Sequence, residues 1–362
     1  MNICLSPQAF MPETKVPVDD PKRIFKPSSL GFRLTYRCNS KCEHCYCYTD
    51  KDDIGDEVLK FEDLEPLIRE AKRIGMSGVG VSGGEPFLMR QMIFQIVKLA
   101  KQQGLNVNLA TNAFWARTYD KAVEMLETLK ELGFKTPGDG IAISAGQYHL
   151  PHIHRDCSMN LIKAYKAVFN ASLTRLDFEY VAGNEQILSD FKAFLAGEGI
   201  KETDYKLVER TVFQTTGNAR IQAKEIINKR PATVFQGLCP WIKDLIVEPS
   251  GDVYPCCGFN RYNKGIVIGN VKRQTLEEIS NSSQVMPVMA MLKKHSFAYL
   301  HALLAKKFEI EKTADGLCDI CEIIFSKPEH VEYLVEQFSY LYDHPFLSQP
   351  YFPAESAPIE IE

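Results

Sequence analysis

The chain has 362 residues, 45% hydrophobic and 24% charged, the proportions of an ordinary soluble globular protein with room for a barrel-type α/β core and a small appendage. Its 42 basic and 46 acidic residues leave a net charge of −4 with no basic block, which argues against a nucleic-acid partner held through phosphates. No apolar run reaches membrane-spanning length, and prolines and charges interrupt the first thirty residues, so neither a membrane nor a signal peptide is expected and the expected location is cytoplasmic.

In chain order, the five prolines between Pro7 and Pro27 predict an extended arm over residues 1–30. An apolar run from Phe32 to Tyr36 then predicts a first strand, followed at once by CNSKCEHC. Helical spacing of Leu64, Leu67, Ile68 and Ala71, and of Ile93, Ile96, Val97 and Ala100, brackets a second strand in VGVSGG. Further strands are predicted at Val107–Thr111, Ile141–Ser144, Leu176–Val181 and Tyr205–Phe213, separated by helices around 120–133, 158–169 and 186–197. Six strands alternating with helices imply a parallel sheet of right-handed βαβ units, either open or closed into a barrel. In such folds chemistry gathers at the C-terminal ends of the strands. Gly83-Gly84-Glu85-Pro86, Asn112 and Ser144 all stand there.

The eleven cysteines carry the chemical signal. In a reducing compartment they read as metal ligands or reactive thiols rather than as disulfides. They fall into two groups: Cys38, Cys42, Cys45 and Cys47, then Cys239, Cys256, Cys257, Cys318 and Cys321, with Cys4 and Cys157 outside both. Two groups imply two metal sites. Cys38, Cys42 and Cys45, spaced by three and two residues, can grip three corners of a four-iron cluster and leave one iron open. A structural zinc ion would need a fourth protein ligand, for which His44 is at hand.

CxxxCxxC after an apolar strand, followed some forty residues later by GGEP at a strand end, resembles the radical S-adenosylmethionine (radical SAM) superfamily. The resemblance selects a partial (β/α)6 barrel over residues 31–218, with a [4Fe–4S] cluster on Cys38, Cys42 and Cys45 and S-adenosylmethionine (SAM) on its open iron. It also implies SAM contacts from Gly83, Gly84, Glu85 and Pro86, whose glycines let the backbone approach the methionyl part, and ribose contacts near Asn112 and Ser144. GNAR, at Gly217–Arg220, resembles a GRA-like stretch of the same family. One departure is His44, where the family has an aromatic residue before the last cysteine. Gln147, Tyr148, His149, His152 and His154 form a polar-aromatic group after the fourth strand, suited to a substrate pocket or to a solvated loop.

Residues 221–232 read as a helix leading into a second unit, 219–345. There, two β-rich runs meet at the turn signature Pro249-Ser250-Gly251-Asp252. With Cys239, Cys256 and Cys318-x-x-Cys321 around it, this unit resembles the twitch, or shortened SPASM, domain that holds one auxiliary [4Fe–4S] cluster. A four-cysteine zinc ribbon is the alternative. Cys257 is then the leftover thiol, and whether it or Cys256 is the ligand stays open at this stage. Because strand neighbours point to opposite faces, one of the pair is expected on the cluster and the other at the barrel mouth, as in epimerases where a thiol gives hydrogen to a carbon radical. Residues 284–310 read as an insertion suited to clamping substrate. Val331, Leu334, Val335 and Phe338 read as a core helix, and 346–362 as a disordered tail.

The reading is a radical SAM enzyme fed by an electron donor such as flavodoxin or ferredoxin. The expected reaction is epimerisation in a ribosomally made peptide, with Cys257 as hydrogen donor. Peptide oxidation or cross-linking, dehydrogenation or epimerisation of a small aminoglycoside-type sugar, and a non-catalytic metal-binding protein are the competing readings.

Overall fold

The computed structural model describes residues 25–45, 58–210, 229–258, 264–283 and 287–338. The predicted arm to residue 24, Cys4, Cys47, the GNAR stretch, residues 221–228 of the predicted helix and the tail lie outside them.

Six strands run parallel in sequence order: β1 (Ser29–Arg33), β2 (Gly78–Ser82), β3 (Asn106–Thr111), β4 (Gly140–Gly146), β5 (Leu173–Glu179) and β6 (Tyr205–Arg210). The helices α1 (Phe61–Arg73), α2 (Arg90–Gln102), α3 (Tyr119–Glu131), α4 (Arg155–Phe169) and α5 (Gln186–Gly197) connect them. The apolar stripes read from the sequence are the faces that pack on the sheet. Leu64, Leu67, Ile68 and Ala71 of α1, and Ile93, Ile96, Val97 and Ala100 of α2, are all buried. Burying each large aliphatic chain is worth about 1.5–3 kcal/mol. Local signals set the helix ends: Thr118 caps α3 by accepting the Lys121 N–H, and α4 stops at Asn170 in the left-handed region.

β1 begins and ends three residues earlier than the apolar run suggests. Leu34 still donates to the Ser82 carbonyl, but Thr35–Arg37 then leaves the ladder to lie over the glycines after β2. Their side chains remain apolar and buried at Leu34 and Tyr36, which is why the pattern reads as strand.

The parallel sheet does not end at β1. After β7 (Arg230–Pro231), the strand β8 (Asp244–Val247) pairs with β1 in parallel, Leu30 against Leu245 and Phe32 against Val247. β9 (Asp252–Tyr254) returns antiparallel through a turn in which Gly251 has φ +90°, and β10 (Gly269–Asn270) follows it. The order across the nine-stranded sheet is β10-β9-β8-β1-β2-β3-β4-β5-β6. The predicted division near residue 219 therefore splits the sequence without splitting the sheet. β11 (Thr313–Ala314) pairs with β7 in a separate two-stranded sheet.

Helices Leu276–Ser282, Pro287–Lys294, Phe297–Leu304, Leu317–Phe325 and Pro328–Phe338 pack beside the hairpin. The second and third of these occupy the stretch read as a substrate clamp. It is core instead: Val288, Met289, Met291, Leu292, Leu300 and Leu304 are buried, and Phe297 reaches the cavity described below. Val331, Leu334 and Phe338 are core, as read. The end of the predicted helix 221–232 is β7 and a single 3-10 turn, consistent with Pro231.

Candidate active site

One cavity of about 450 Å³ is lined by both cysteine groups and by residues of β2 to β6 and the turns that follow them. Cys38, Cys42 and Cys45 come from the loop after β1; Cys239, Cys256, Cys257, Cys318 and Cys321 come from the C-terminal unit. Gly83, Gly84, Glu85, Pro86, Asn112 and Ser144 line the same space, so every site residue read from the sequence is brought together. Cys157 is buried in α4 and does not line the cavity.

The first loop is held by the turns after β2 and β3. A Cβ on Gly84 would lie 2.2 Å from the Arg37 carbonyl oxygen and 2.5 Å from that of Tyr36, and one on Gly83 would lie 2.7 Å from that of Thr35. The two glycines thus admit the backbone of the cysteine loop, a closer demand than the cofactor approach inferred from the sequence. Gly84 N–H donates to Thr35 O at 2.6 Å and Glu85 N–H to Arg37 O at 2.9 Å. The Glu85 carboxylate turns inward. It accepts from the Asn112 N–H (2.7 Å), the Thr111 hydroxyl (2.8 Å) and the Phe87 N–H (3.1 Å). Asn112 completes the lock, its amide donating to the Asn39 side chain at 2.9 Å.

In the second group, Cys318 and Cys321 sit one turn apart on the helix Leu317–Phe325, facing Cys256 and Cys239. A Cβ on Gly258 would lie 3.2 Å from the Cys318 sulfur and 3.9 Å from that of Cys256, so this glycine keeps room between thiols. Cys256 is buried and Cys257 exposed. The strand-alternation argument does not account for this, because both residues follow β9 in a turn; both nevertheless line the cavity.

The opposite wall is charged. His44 pairs with Glu179 at 3.0 Å and stacks on Tyr148 at 5.1 Å. Burial tends to raise the Glu179 pKa, but the hydrogen bond and charge of His44 outweigh it and hold the carboxyl below its ordinary range. Arg175 donates to Asp177 at 2.7 and 2.9 Å, and Arg210 approaches both carboxylates, at 3.5 Å to Asp177 and 3.7 Å to Glu179. His149 also lines the cavity, and burial pushes its pKa down to about 3, so it is neutral. The other members of that sequence cluster are elsewhere: Gln147 accepts from Val181 and Asn184, His154 caps α4, and His152 is exposed.

Sequence reasoning missed Arg33, Tyr36 and Glu248, a buried set between the two cysteine loops. Arg33 ion-pairs with Glu248, and the Tyr36 hydroxyl donates to the same carboxylate. A charge inside LGFRLTY, and another closing LIVE, were the available signals. It also missed the β5–β6 charges Arg175, Asp177, Glu179 and Arg210.

Comparison with known proteins decides what the cavity belongs to. The radical SAM superfamily model matches residues 32–194, and the SPASM iron–sulfur cluster-binding domain model matches residues 239–322. The chain belongs to the radical SAM superfamily. It is 21% identical over 327 residues to YydG of Bacillus subtilis, a protein named for peptide biosynthesis, across 88% of this chain and 98% of that one. A protein of Saccharolobus solfataricus named for GTP 3′,8-cyclase activity is 24% identical over 302 residues, 78% of this chain and 92% of that one. The solved structure of anSMEcpe with bound AdoMet shares the fold, with TM-score 0.50 and 13% identity over 88% of this chain and 96% of that chain.

A radical SAM enzyme with a SPASM domain uses SAM and iron–sulfur clusters, and the residues present fit them. Both groups supply thiols, the usual cluster ligands. Burial pushes Cys38 up to about 11 and Cys42 and Cys318 up to about 12, and holds Cys256 and Cys321 well above the ordinary thiol range. Thiols buried this way ionise when a metal centre displaces their protons. Among the described residues, no three His, Cys, Asp or Glu side chains converge as a single metal ion requires; both thiol groups line the cavity. No helix of the described residues is long and apolar enough to cross a membrane.

Two outcomes follow from the interlocked turns. Gly84→Ala forces the Tyr36–Arg37 backbone away and is expected to lose about four irons of about eight per chain after anaerobic reconstitution, with far-ultraviolet circular dichroism unchanged; full iron content would show that the loop tolerates the displacement. The second concerns pH. Burial pushes Glu85 up to about 7, against the pull of its three donors, from an ordinary 4.5. Between those values the folded chain keeps a proton that the unfolded chain has released, so stability falls as pH rises through the window. The loss is about 3 kcal/mol at most. Urea unfolding of cluster-free protein from pH 4.5 to 7 is expected to show this slope in the wild type and a flatter profile in Glu85→Gln; equal slopes would remove Glu85 as its source.

Proposed function

We propose that this radical SAM enzyme inverts the configuration of a carbon in a peptide, with Cys257 as the hydrogen donor. The observation that carries the reading is the fate of the adjacent cysteines. Cys256 is buried among Cys239, Cys318 and Cys321, while Cys257 is exposed and lines the cavity that also holds the first cysteine loop. In this reading Cys38, Cys42 and Cys45 hold the SAM-binding cluster. Cys239, Cys256, Cys318 and Cys321 hold the auxiliary one. Gly83, Gly84, Glu85, Pro86, Asn112 and Ser144 shape the SAM pocket. The peptide class is supported by the likeness to YydG along nearly the whole of both chains.

A cluster held by Cys38, Cys42 and Cys45 with SAM bound would, on receiving one electron from the donor, supply a 5′-deoxyadenosyl radical able to abstract a hydrogen atom from substrate carbon. Cys257 then returns one from the other face: the S–H bond breaks, a C–H bond forms, and the sulfur is left as a thiyl radical. One electron from a flavodoxin- or ferredoxin-type donor and one proton from water restore the thiol. The interior pairs Arg175–Asp177 and His44–Glu179 keep the barrel wall polar.

Iron counting and product analysis test the assignment. Replacing Cys38, Cys42 and Cys45 together is expected to leave about four irons of about eight and to abolish SAM cleavage. Cys257→Ala is expected to keep all the iron and to form 5′-deoxyadenosine, but to make no inverted product from a peptide that the wild type epimerises. Loss of about four irons in Cys257→Ala would exchange the roles of the two cysteines, and a product lighter by two hydrogens would point to oxidation or cross-linking.

A further inference from the structure

β1 and β8 pair in parallel through Phe32 and Val247. The residues immediately beyond that pair are Arg33 and Glu248, which are 1% and 0% exposed. They stand where both strands end, Arg33 at the start of the loop that carries Cys38 and Glu248 at the start of the turn into β9. The Arg33 guanidinium divides its donors. One terminal nitrogen pairs with the Glu248 carboxylate, and the other donates to the Cys257 carbonyl at 3.4 Å. The second Glu248 oxygen accepts from the Tyr36 hydroxyl, two residues before Cys38. Glu248 is itself fixed by its backbone, its N–H on the Asp252 carbonyl at 2.9 Å and its carbonyl accepting from Gly251 at 2.8 Å.

Stability alone does not explain a charged pair here. Burying an ion pair carries a desolvation cost that often matches or exceeds its Coulombic return, and apolar replacements of similar volume frequently serve as well. The strands on either side are already joined by ladder hydrogen bonds, and Ser28 and Ser29 hydroxyls reach Asp244 at 3.1 and 2.7 Å at the other end of the pairing. What an apolar pair cannot supply is the third contact, a donor on the Cys257 carbonyl. A planar guanidinium can hold a carboxylate with one nitrogen and a carbonyl with the next in a fixed relation, whereas an ammonium is a single point of charge.

We propose that Arg33 is a positioning residue. Held by Glu248 and Tyr36, it fixes the turn that carries Cys256 and Cys257 relative to the strand that leads into the first cysteine loop. The orientation of the exposed thiol is thereby set from the barrel itself and not from the auxiliary-cluster helices. The importance of that orientation rests on the reading of Cys257 as hydrogen donor; the positioning itself does not, and is testable without turnover.

The test is amide hydrogen exchange on the reconstituted, cluster-loaded protein, together with the rate at which iodoacetamide alkylates Cys257. In Arg33→Lys, exchange over residues 255–258 and alkylation of Cys257 are each expected to rise about tenfold, with exchange over β1 and β8 and the iron content unchanged. If Arg33→Lys does not fold, the double replacement Arg33→Met with Glu248→Met removes both charges together and is read in the same way. Unchanged exchange over 255–258 in the folded variant would overturn the proposal. So would an equal rise across β1 and β8, which would mark the pair as part of the general scaffold. Failure of Cys257→Ala to affect the product would overturn the donor reading and leave this measurement standing.

Discussion

Everything distinctive in this molecule depends on the parallel pairing of β8 with β1. Without β8, β1 would be the edge of the six parallel strands, and an unpaired strand edge must be covered, charged or extended. Here it is extended by a strand that lies some 210 residues later in the chain and runs in the same direction. The antiparallel strand β9 then returns along β8, Tyr254 against Ile246, and brings Cys256 and Cys257 back beside it, where the Arg33 guanidinium reaches the Cys257 carbonyl. The loop after β1 and the turn after β9 line one cavity.

Around that pairing the two cysteine groups are fixed in different ways. The first is held by backbone: glycines 83 and 84 admit the loop, and Glu85 ties the β2 turn to the β3 turn through three donors on a buried carboxylate. The second is held by the packing of the C-terminal helices, whose apolar faces, Met289, Leu292, Leu300 and Leu304 among them, form a core continuous with the barrel. Arg33, Tyr36 and Glu248 lie between the two.

Much of this was legible in the sequence, for physical reasons that can be named. Helical stripes such as Leu64, Leu67, Ile68 and Ala71 repeat with the helix period, and nothing else gives that spacing. The cysteine spacings and the strand-end placement of Gly83, Gly84, Asn112 and Ser144 point to one site, and the cavity collects them. What escaped was long-range. Arg33 and Glu248 are each a charge in an apolar run, and their meeting depends on a register between strands remote in sequence. The helices Pro287–Lys294 and Phe297–Leu304 looked like an insertion because their partners, such as Phe338, lie beyond the last cysteine. Likewise, the opposite fates of Cys256 and Cys257 come from a turn and not from strand alternation.

The central claim is that an exchangeable thiol in the shared cavity, rather than a second cofactor, decides what becomes of the substrate radical. The most direct measurement is the mass of the peptide product after turnover of wild-type enzyme in deuterated water. A thiol proton exchanges with solvent, so the account predicts one added deuterium, located on the inverted carbon. Inverted product without deuterium would contradict it.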